Sequence, residues 1–204
     1  MAVLEYQLEQ ELLAEGYSLV CGVDEAGRGP LCGPVVAAAV ILPQGLYLEG
    51  LNDSKKLTEK KREKLYDLIC ESAVAFAIAE GSVEEINQTN ILETTLSAMR
   101  KAIAALPIQP QFALIDGNIL RDFPLPAKAI VHGDAISPSI AAASILAKVT
   151  RDRLCVELDR QYPQYGILHH KGYGTKEHMN ALRTYGPAPI HRTKFIRFLQ
   201  DDPS

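Results

Sequence analysis

A chain of 204 residues with 47% hydrophobic and 23% charged side chains has the composition of an ordinary globular protein and is long enough for one substantial core. No apolar run is long enough to cross a membrane, and the acidic start is unlike a cationic leader, so we expect a cytoplasmic protein with no membrane partner. The net charge of −4 argues against a protein that coats nucleic acid over its whole surface.

Periodicity divides the chain into strands and helices without a domain-separating linker. In chain order the patterns predict a helix at 3–15, strands at 18–23 and 35–42, a helix at 58–71, a strand at 73–79, two helices between 82 and 106, strands at 112–115 and 127–131, a long helix from 138, and a helix at 176–185. Strands cluster before residue 131 and helices lie between and after them. This order favours an α/β fold, with a mixed sheet flanked by helices and a helical C-terminal portion.

Several helix starts carry capping signals. Ser82 with Glu85 forms a capping box, and Asn90 with Glu93 resembles a second N-cap. Ser137-Pro138 opens the long helix, whose first half, 140–149, is apolar nearly all round and must be buried. The four cysteines form no CxxC pair and have apolar neighbours, so we expect small buried residues with free thiols.

Acidic residues stand where predicted strands end. Asp24 and Glu25 follow the run 19–23, Asp116 follows the fourth strand, and Asp134 follows the fifth. If these strands are neighbours with their carboxyl ends at one edge, four carboxylates converge, which suits two Mg²⁺ or Mn²⁺ ions. Each acid also has a plainer interpretation as a turn former or a helix-capping residue. The joint pattern favours the metal site.

Two segments suit a polyanionic ligand. Gly27-Arg28-Gly29 lets a ligand approach the backbone closely and adds a cation that can meet a phosphate. Tyr173 lies between glycines in a basic loop, where its ring could stack on a sugar or base, or could simply anchor the turn. The region 166–200 holds six Lys/Arg against one acid, 6 − 1 = +5, which indicates either a local polyanion site or an unevenly charged surface.

Lysines and histidines near these segments have less specific patterns. Lys55 and Lys56 could contact phosphates, although a solvated start of a lysine-rich helix explains them as well. The adjacent His169 and His170 lack the i, i+4 spacing of helical metal ligands, so we expect them at the surface or facing phosphate.

Five motifs occur in one order and together resemble those of bacterial ribonuclease HII, a type 2 ribonuclease H. The matching segments are 24–29 (DEAGRG), 53–57 (DSKKL), 116–118 (DGN), 141–148 (AAASILAK) and 171–175 (KGYGT). The resemblance covers roughly residues 18–195. It implies a ribonuclease H-like fold with a five-stranded mixed sheet, the first three strands antiparallel, and a helical C-terminal segment. The whole chain, 1–204, would be one such domain, with a catalytic core at about 1–160 and a helical substrate-contact segment at about 161–204.

The resemblance also implies an activity and roles for individual residues. A protein of this family would be a metal-dependent endonuclease that hydrolyses RNA in RNA–DNA hybrids and nicks duplex DNA 5′ to embedded ribonucleotides, leaving 5′-phosphate and 3′-OH ends. Asp24, Glu25, Asp116 and Asp134 match the family's metal-binding carboxylates. The loop 27–29 matches the loop that recognises the 2′-OH, and Tyr173 matches the tyrosine that stacks on the next sugar. Such an enzyme would support ribonucleotide removal in DNA repair and replication.

One departure from the usual family pattern, the distinction from a sister family, and the partners complete the expectation. The segment 191–195 (HRTKF) differs from the usual pattern of His-Arg, a small residue, Ser and Phe, which leaves the substrate contacts of the tail open. Only 23 residues precede Asp24, too few for the extra N-terminal domain of ribonuclease HIII. We expect a monomer with no obligatory protein partner. The alternatives are a nuclease of the same fold for branched DNA and a non-catalytic nucleic-acid-binding module.

Overall fold

A single mixed sheet forms the centre of the protein. The computed structural model describes residues 4–52 and 54–199 and, for Lys56, the backbone alone. The strands are β1 (Val20–Ala26), β2 (Val35–Ile41), β3 (Ala75–Gly81), β4 (Phe112–Asp116) and β5 (Ala127–Ile130). They pair in the order β3-β2-β1-β4-β5, which confirms the predicted mixed five-stranded sheet.

The direction of pairing decides which strand ends meet. β1 pairs with β2, and β2 with β3, in antiparallel fashion, as expected for the first three strands. β4 is parallel to β1, and β5 is parallel to β4. The carboxyl ends of β1, β4 and β5 therefore lie at the same edge of the sheet, where ligands of open α/β sheets usually bind.

Helices cover both faces of the sheet. They are α1 (Gln7–Ala14), α2 (Glu59–Ser72), α3 (Val83–Gln88), α4 (Ile91–Ala104), α5 (Pro138–Gln161), α6 (Ile167–His170) and α7 (Lys176–Tyr185). Short 3₁₀ turns occur at Ser54–Lys56, Gly133–Ala135, Pro163–Tyr165, Thr193–Phe195 and Arg197–Leu199. Among residues 4–52 and 54–199, none of these helices combines the length and apolar character that a membrane crossing requires.

The predicted caps are confirmed. The Ser82 hydroxyl accepts a hydrogen bond from the Glu85 amide at 3.0 Å, and the Glu85 carboxylate accepts one from the Ser82 amide at 2.7 Å. The Asn90 side chain accepts from the Glu93 amide at 3.0 Å. Ser137 caps α5 through the amide of Ile140 at 3.2 Å. Each cap satisfies a backbone donor that the first helical turn cannot satisfy itself.

The long helix α5 is the buried centre of one layer. Its alanine-rich first half packs with β2 and α2, which explains the all-round apolar sequence of 140–149. The helix lies so close to β1 that a methyl group at Gly22 would meet the Ser139 carbonyl carbon at 2.1 Å. The opposite face of the sheet packs against α4 through residues such as Met99 and Ile103. The sheet is thus a middle layer between two helical layers.

Some boundaries differ from prediction. α1 begins at residue 7 rather than 3, and residues 1–3 lie outside the described part. β1 extends through Ala26 instead of ending at residue 23, because Glu25 and Ala26 continue the antiparallel ladder opposite β2. The predicted loop at 162–175 contains the short helix α6. The described thiols are free, with Cys21, Cys32 and Cys155 buried and Cys70 half-buried.

Candidate active site at the carboxyl edge of the sheet

Two of the predicted acids lie side by side on parallel strands. Val23 of β1 pairs with Ile115 of β4, and each is followed by an aspartate, Asp24 or Asp116. These two carboxylates therefore occupy the same level of the sheet and the same face. Asp24 is 4% exposed and lies inside β1, not beyond its end. The predicted convergence of these two acids is confirmed by the parallel pairing.

The other two acids lie beside this pair. Glu25 is the next residue of β1. Asp134 lies in the 3₁₀ turn that follows β5 and is also 4% exposed. The amide of Gly133 donates to Oδ1 of Asp116 at 2.7 Å, which ties this turn to the end of β4. The carboxyl edge of three neighbouring strands thus presents all four predicted acids.

The clustering of acids raises their pKa values. Burial raises the pKa of Asp24 well above its usual range, and the nearby charges of Glu25 and Asp116 raise it further. Burial also raises the pKa of Glu25, against the lowering effect of the Arg28 guanidinium, which lies 3.3 Å away. Hard carboxylate oxygens that repel one another in a buried place are the donor set that a divalent cation stabilises. These residues fit such an ion.

The described part of the chain contains another group of possible ligand atoms that lie closer together. In the described part of the chain, the group whose possible ligand atoms all lie within 4.8 Å of one another is Cys32, His178 and His191, and the four carboxylates form no such close group.

Two serines and a lysine lie near the acidic cluster. The hydroxyl of Ser144 on α5 acts against the raised pKa of Asp24 and lies 2.9 Å from the hydroxyl of Ser54. Ser54 begins the 3₁₀ turn of the predicted lysine segment, and Nζ of Lys55 lies 3.9 Å from Oδ2 of Asp134. Lys55 therefore lies over the acidic cluster. Asp53 and the side chain of Lys56 lie outside the described residues, so the prediction for Lys56 stays a prediction.

Arg62 stabilises the 3₁₀ turn Ser54–Lys56. Arg62 of α2 donates to the carbonyl of Ser54 at 3.2 Å and to that of Leu57 at 2.6 Å. Its other nitrogen lies 3.5 Å from Asp152 of α5, which also accepts from Lys148 at 2.5 Å. A buried charge network thus joins the turn to the central helix.

The Gly27–Gly29 turn and Tyr173 lie next to each other in the lining of one groove. Gly27 has φ +93°, a conformation that glycine adopts readily. A methyl group at Gly29 would lie 3.2 Å from Cε1 of Tyr173, whose side chain is 48% exposed. The groove has a volume of about 290 Å³, and its lining includes the charged residues Glu25, Arg28, Lys55, Lys148, Arg151, Asp152 and Lys171. Glu25 in this lining belongs to the acidic edge, and most of the other charged residues in it are basic.

Three histidines hold the Tyr173 loop. His178 Nδ1 is hydrogen-bonded to the carbonyl of Tyr173 at 3.0 Å, and the Nε2 atoms of His178 and His191 lie 3.2 Å apart. His170 stacks on His178 with ring centroids 4.5 Å apart. Burial lowers the pKa of His191 to about 4, so this residue is neutral at physiological pH. Burial also lowers the pKa of His178, so His178 and His191 form a neutral histidine unit joined through their Nε2 atoms.

The prediction for His170 is wrong. We expected both adjacent histidines at the surface or facing phosphate, but His170 is 8% exposed and its Nε2 is bonded to the carbonyl of Tyr165 at 2.9 Å. His169 is exposed and pairs with Glu177 at 3.0 Å. The short helix α6 causes the difference, because adjacent helical residues point in different directions, one towards the C-terminal cluster and one towards solvent.

Sequence reasoning missed two buried arginines. Arg151 of α5 is 3% exposed and donates to the carbonyl of Cys32 at 2.9 Å, next to the Gly27–Gly29 turn. Arg192 is fully buried and donates to four carbonyls of the same loop. The only sequence signal was the His-Arg pair at 191–192, which the resemblance placed in the tail without a contact.

The order of the strands, the helical layers on both faces and the acids at the shared carboxyl edge define a ribonuclease H-like protein. The structure is similar to the crystal structure of ribonuclease H2 from Pyrococcus horikoshii OT3, with a TM-score of 0.74 and 28% sequence identity. The likeness covers 90% of this chain and 97% of that one.

Sequence comparison specifies the family. Residues 21–198 match the profile of the family described as Ribonuclease HII. The chain is 53% identical over 189 residues to a ribonuclease HII of Acetivibrio thermocellus, covering 93% of this chain and 74% of that protein. It is 59% identical over 177 residues to one of Acidovorax sp. (strain JS42), covering 87% and 85%. The chain belongs to the ribonuclease HII family and is an endoribonuclease of the ribonuclease H type, a hydrolase.

Proposed function

We propose that this ribonuclease nicks duplex DNA immediately 5′ to embedded ribonucleotides, besides cutting the RNA strand of RNA–DNA hybrids, and thereby supports ribonucleotide removal. The observation that carries the proposal is one groove whose lining includes Glu25 of the acidic edge, the Gly27–Gly29 turn and Tyr173. A site that must recognise one nucleotide needs cleavage and recognition groups within about one nucleotide of each other.

In this proposal the four carboxylates, Asp24, Glu25, Asp116 and Asp134, hold two divalent cations, Mg²⁺ or Mn²⁺. Bound there, the cations would supply activation of the attacking water and stabilisation of the charge on the leaving 3′-oxygen. The parallel pairing of β1 and β4 supports this role, since it puts Asp24 and Asp116 at neighbouring positions on one face of the sheet, where Ser144 would orient Asp24. Water attacks phosphorus and the bond to the 3′-oxygen breaks, which leaves a 5′-phosphate and a 3′-OH.

The Gly27–Gly29 turn and Tyr173 would recognise the sugars of the substrate. The backbone of Gly27, Arg28 and Gly29 would receive the 2′-OH and the adjoining phosphate, since glycines admit a ligand close to the main chain. Tyr173 would stack on the following deoxyribose, where a second 2′-OH finds no room. Lys55 and Lys56 would contact the phosphates. The proposal needs no protein partner and no second copy, because all of these residues belong to one chain.

The test is cleavage of a DNA duplex that carries one ribonucleotide, with Mg²⁺ or Mn²⁺ present and with the product ends mapped. We expect one nick at the 5′ side of the ribonucleotide and no cut in the matched all-DNA duplex. Asp116→Asn should abolish the nick. Cleavage of a long RNA–DNA hybrid without any nick at the single ribonucleotide would overturn the proposed specificity while leaving the family activity intact.

A further inference from the structure

The side chain of Arg192 binds most of the loop that contains the Gly27–Gly29 turn. Its Nε donates to the carbonyl of Gly33 at 2.9 Å, and Nη2 donates to that of Gly27 at 2.6 Å. Nη1 donates to the carbonyls of Arg28 and Pro30 at 2.9 and 2.8 Å. The backbone amide of Arg192 donates to Leu31 at 2.8 Å. One residue, far away in sequence, thus determines the course of the loop.

These bonds also decide where the amide groups of the turn point. In a trans peptide the carbonyl and the following N–H point in opposite directions. Because the carbonyls of Gly27 and Arg28 are directed inwards to the guanidinium, the N–H groups of Arg28 and Gly29 are directed away from it, towards the groove. Two outward N–H donors at adjacent positions suit an oxygen-rich ligand such as a hydroxyl or a phosphate.

The charge of Arg192 has no ordinary structural explanation. The side chain is fully buried, and among the residues that the structure describes no carboxylate forms an ion pair with it. Burial and the neighbouring Arg151 lower its pKa to about 10, so it remains a cation at neutral pH. Burial of a cation that is stabilised mainly by carbonyls costs free energy. The phosphate backbone of a nucleic acid in the adjacent groove would supply the missing negative charge.

The preceding residue, His191, supports the loop that carries Tyr173. His191 is hydrogen-bonded to His178, which in turn is bonded to the carbonyl of Tyr173. The next two residues point elsewhere, since Thr193 is bonded to the Asn87 side chain and Lys194 to the carbonyl of Thr89. The pair His191-Arg192 therefore joins both walls of the groove through one stretch of backbone. The sequence departure at Thr193 and Lys194 falls outside this link.

We infer that Arg192 is a positioning residue that presents the amides of the Gly27–Gly29 turn to the 2′-OH and phosphate of the substrate, an inference that rests on the function proposed above. A lysine cannot replace it. Lysine keeps the charge, but its single ammonium group cannot reach four carbonyls that are arranged around a planar guanidinium. Loss of the planar group should loosen the turn without changing the four carboxylates.

The experiment compares wild type, Arg192→Lys and Leu182→Ala. Leu182 is buried in the same C-terminal cluster, and among the described residues no hydrogen bond joins it to the loop 27–33, so it serves as the control for lost stability. We expect amide hydrogen exchange in residues 27–33 of Arg192→Lys to be at least about tenfold faster, with exchange in 35–41 unchanged. KM for the one-ribonucleotide duplex should rise at least about tenfold, with Mn²⁺ binding unchanged. Leu182→Ala should show neither effect.

Unchanged loop exchange in folded Arg192→Lys, or a rise in KM equal to that of Leu182→Ala, would overturn the inference. If Arg192→Lys does not fold, the inference is tested with the wild-type protein alone. In EDTA, where no cleavage occurs, a one-ribonucleotide duplex should shift the amide NMR signals of Arg28 and Gly29, and an all-DNA duplex should not. Equal or absent shifts contradict the inference. The exchange measurement needs no substrate, so its result is separate from a failure of the proposed ribonucleotide cleavage.

Discussion

Asp24 and Asp116 occupy the same level on two neighbouring parallel strands, because each directly follows one partner of the Val23–Ile115 pair. More than ninety residues separate them in the chain, yet the register leaves their carboxylates side by side on one face of the sheet. Burial, together with the nearby charges of Glu25 and Asp116, raises the pKa of Asp24. The first prediction follows from it.

Divalent cations should stabilise the protein through these carboxylates. At a cation concentration about 100 times Kd, preferential binding to the folded state contributes about 2.7 kcal/mol, which corresponds to a Tm increase of roughly 5–10 °C for a chain of this size. Asp116→Asn should lose this increase and at least about 100-fold of the cleavage rate. Without metal, the same variant should melt higher than wild type, since it removes a repulsive charge. Thermal melts with and without Mn²⁺ check this.

The control for this prediction is Asp122→Asn. Asp122 is exposed and has φ +54°, a conformation that asparagine tolerates. It should keep the wild-type response to Mn²⁺. A wild-type protein whose Tm does not respond to Mg²⁺ or Mn²⁺ would contradict the metal site.

Removal of the Tyr173 ring should weaken cleavage at a single ribonucleotide. Stacking on one nucleotide contributes about 1–3 kcal/mol, so Tyr173→Ala should lower kcat/KM by about tenfold or more, and Tyr173→Phe should retain most of the activity. The half-exposed side chain is not part of the core, so Tm should change little. Steady-state kinetics check this, with the exposed Tyr185→Ala as the control. Equal kinetics for Tyr173→Ala and wild type would remove the stacking role.

A methyl group at Gly29 should narrow the groove. It would lie 3.2 Å from Cε1 of Tyr173, close enough to force one wall to move. We expect Gly29→Ala to lower kcat/KM by about tenfold with little loss of stability, because a half-exposed tyrosine can shift. The double variant Gly29→Ala/Tyr173→Ala tests the cause by a double-mutant cycle. If the two effects simply add, the methyl group acts by some route other than the tyrosine.

The neutral histidine unit should make stability depend on pH. The pKa of His191 is lowered from 6.5 to about 4, so the unfolded chain binds a proton between these values and the folded protein does not. The free energy of unfolding should therefore decrease as pH falls from about 6.5 to 4, by at most about 3 kcal/mol from this group. Urea unfolding at pH 7 and pH 4.5 measures this.

His191→Gln should show a weaker pH dependence than wild type in the same experiment, and the exposed His169→Gln should match wild type. The pKa of His178 is also lowered, mainly by burial, so a residual dependence in His191→Gln is expected. Identical pH profiles for wild type and His191→Gln would show that His191 is not the titrating group.

The contact between β1 and α5 leaves no room at Gly22. A methyl group there would lie 2.1 to 2.3 Å from the backbone of Ser139 and Ile140, which cannot move without displacing the helix. We expect Gly22→Ala to reduce the free energy of unfolding by about 3 kcal/mol or more, or to prevent folding. Gly50→Ala, with φ +81° and open space, should cost only about 1–2 kcal/mol of backbone strain. Urea unfolding compares the two, and equal costs would contradict the steric explanation.

The sequence predicted the parts of the site that are encoded locally. Strand and helix patterns placed five strands in order, and Ser82, Asn90 and Ser137 marked helix starts that the structure confirms. Apolar periodicity and capping residues act within a few positions, so they can be read without the fold. The motifs around Asp24, Asp116 and Tyr173 were visible for the same reason, since each is a short contiguous segment.

Relationships between distant segments were decided by the tertiary structure. The parallel register of β1 and β4, not any local pattern, places Asp24 beside Asp116. His170 turned inwards because α6 packs against the C-terminal cluster, which adjacent histidines in a basic loop do not reveal. Arg192 reaches carbonyls about 160 positions earlier, and a side chain's distant partners leave no periodic trace in the sequence. The sequence by itself indicated the residues that we propose to carry the chemistry, and only the packing of strands and loops decided how they are held together.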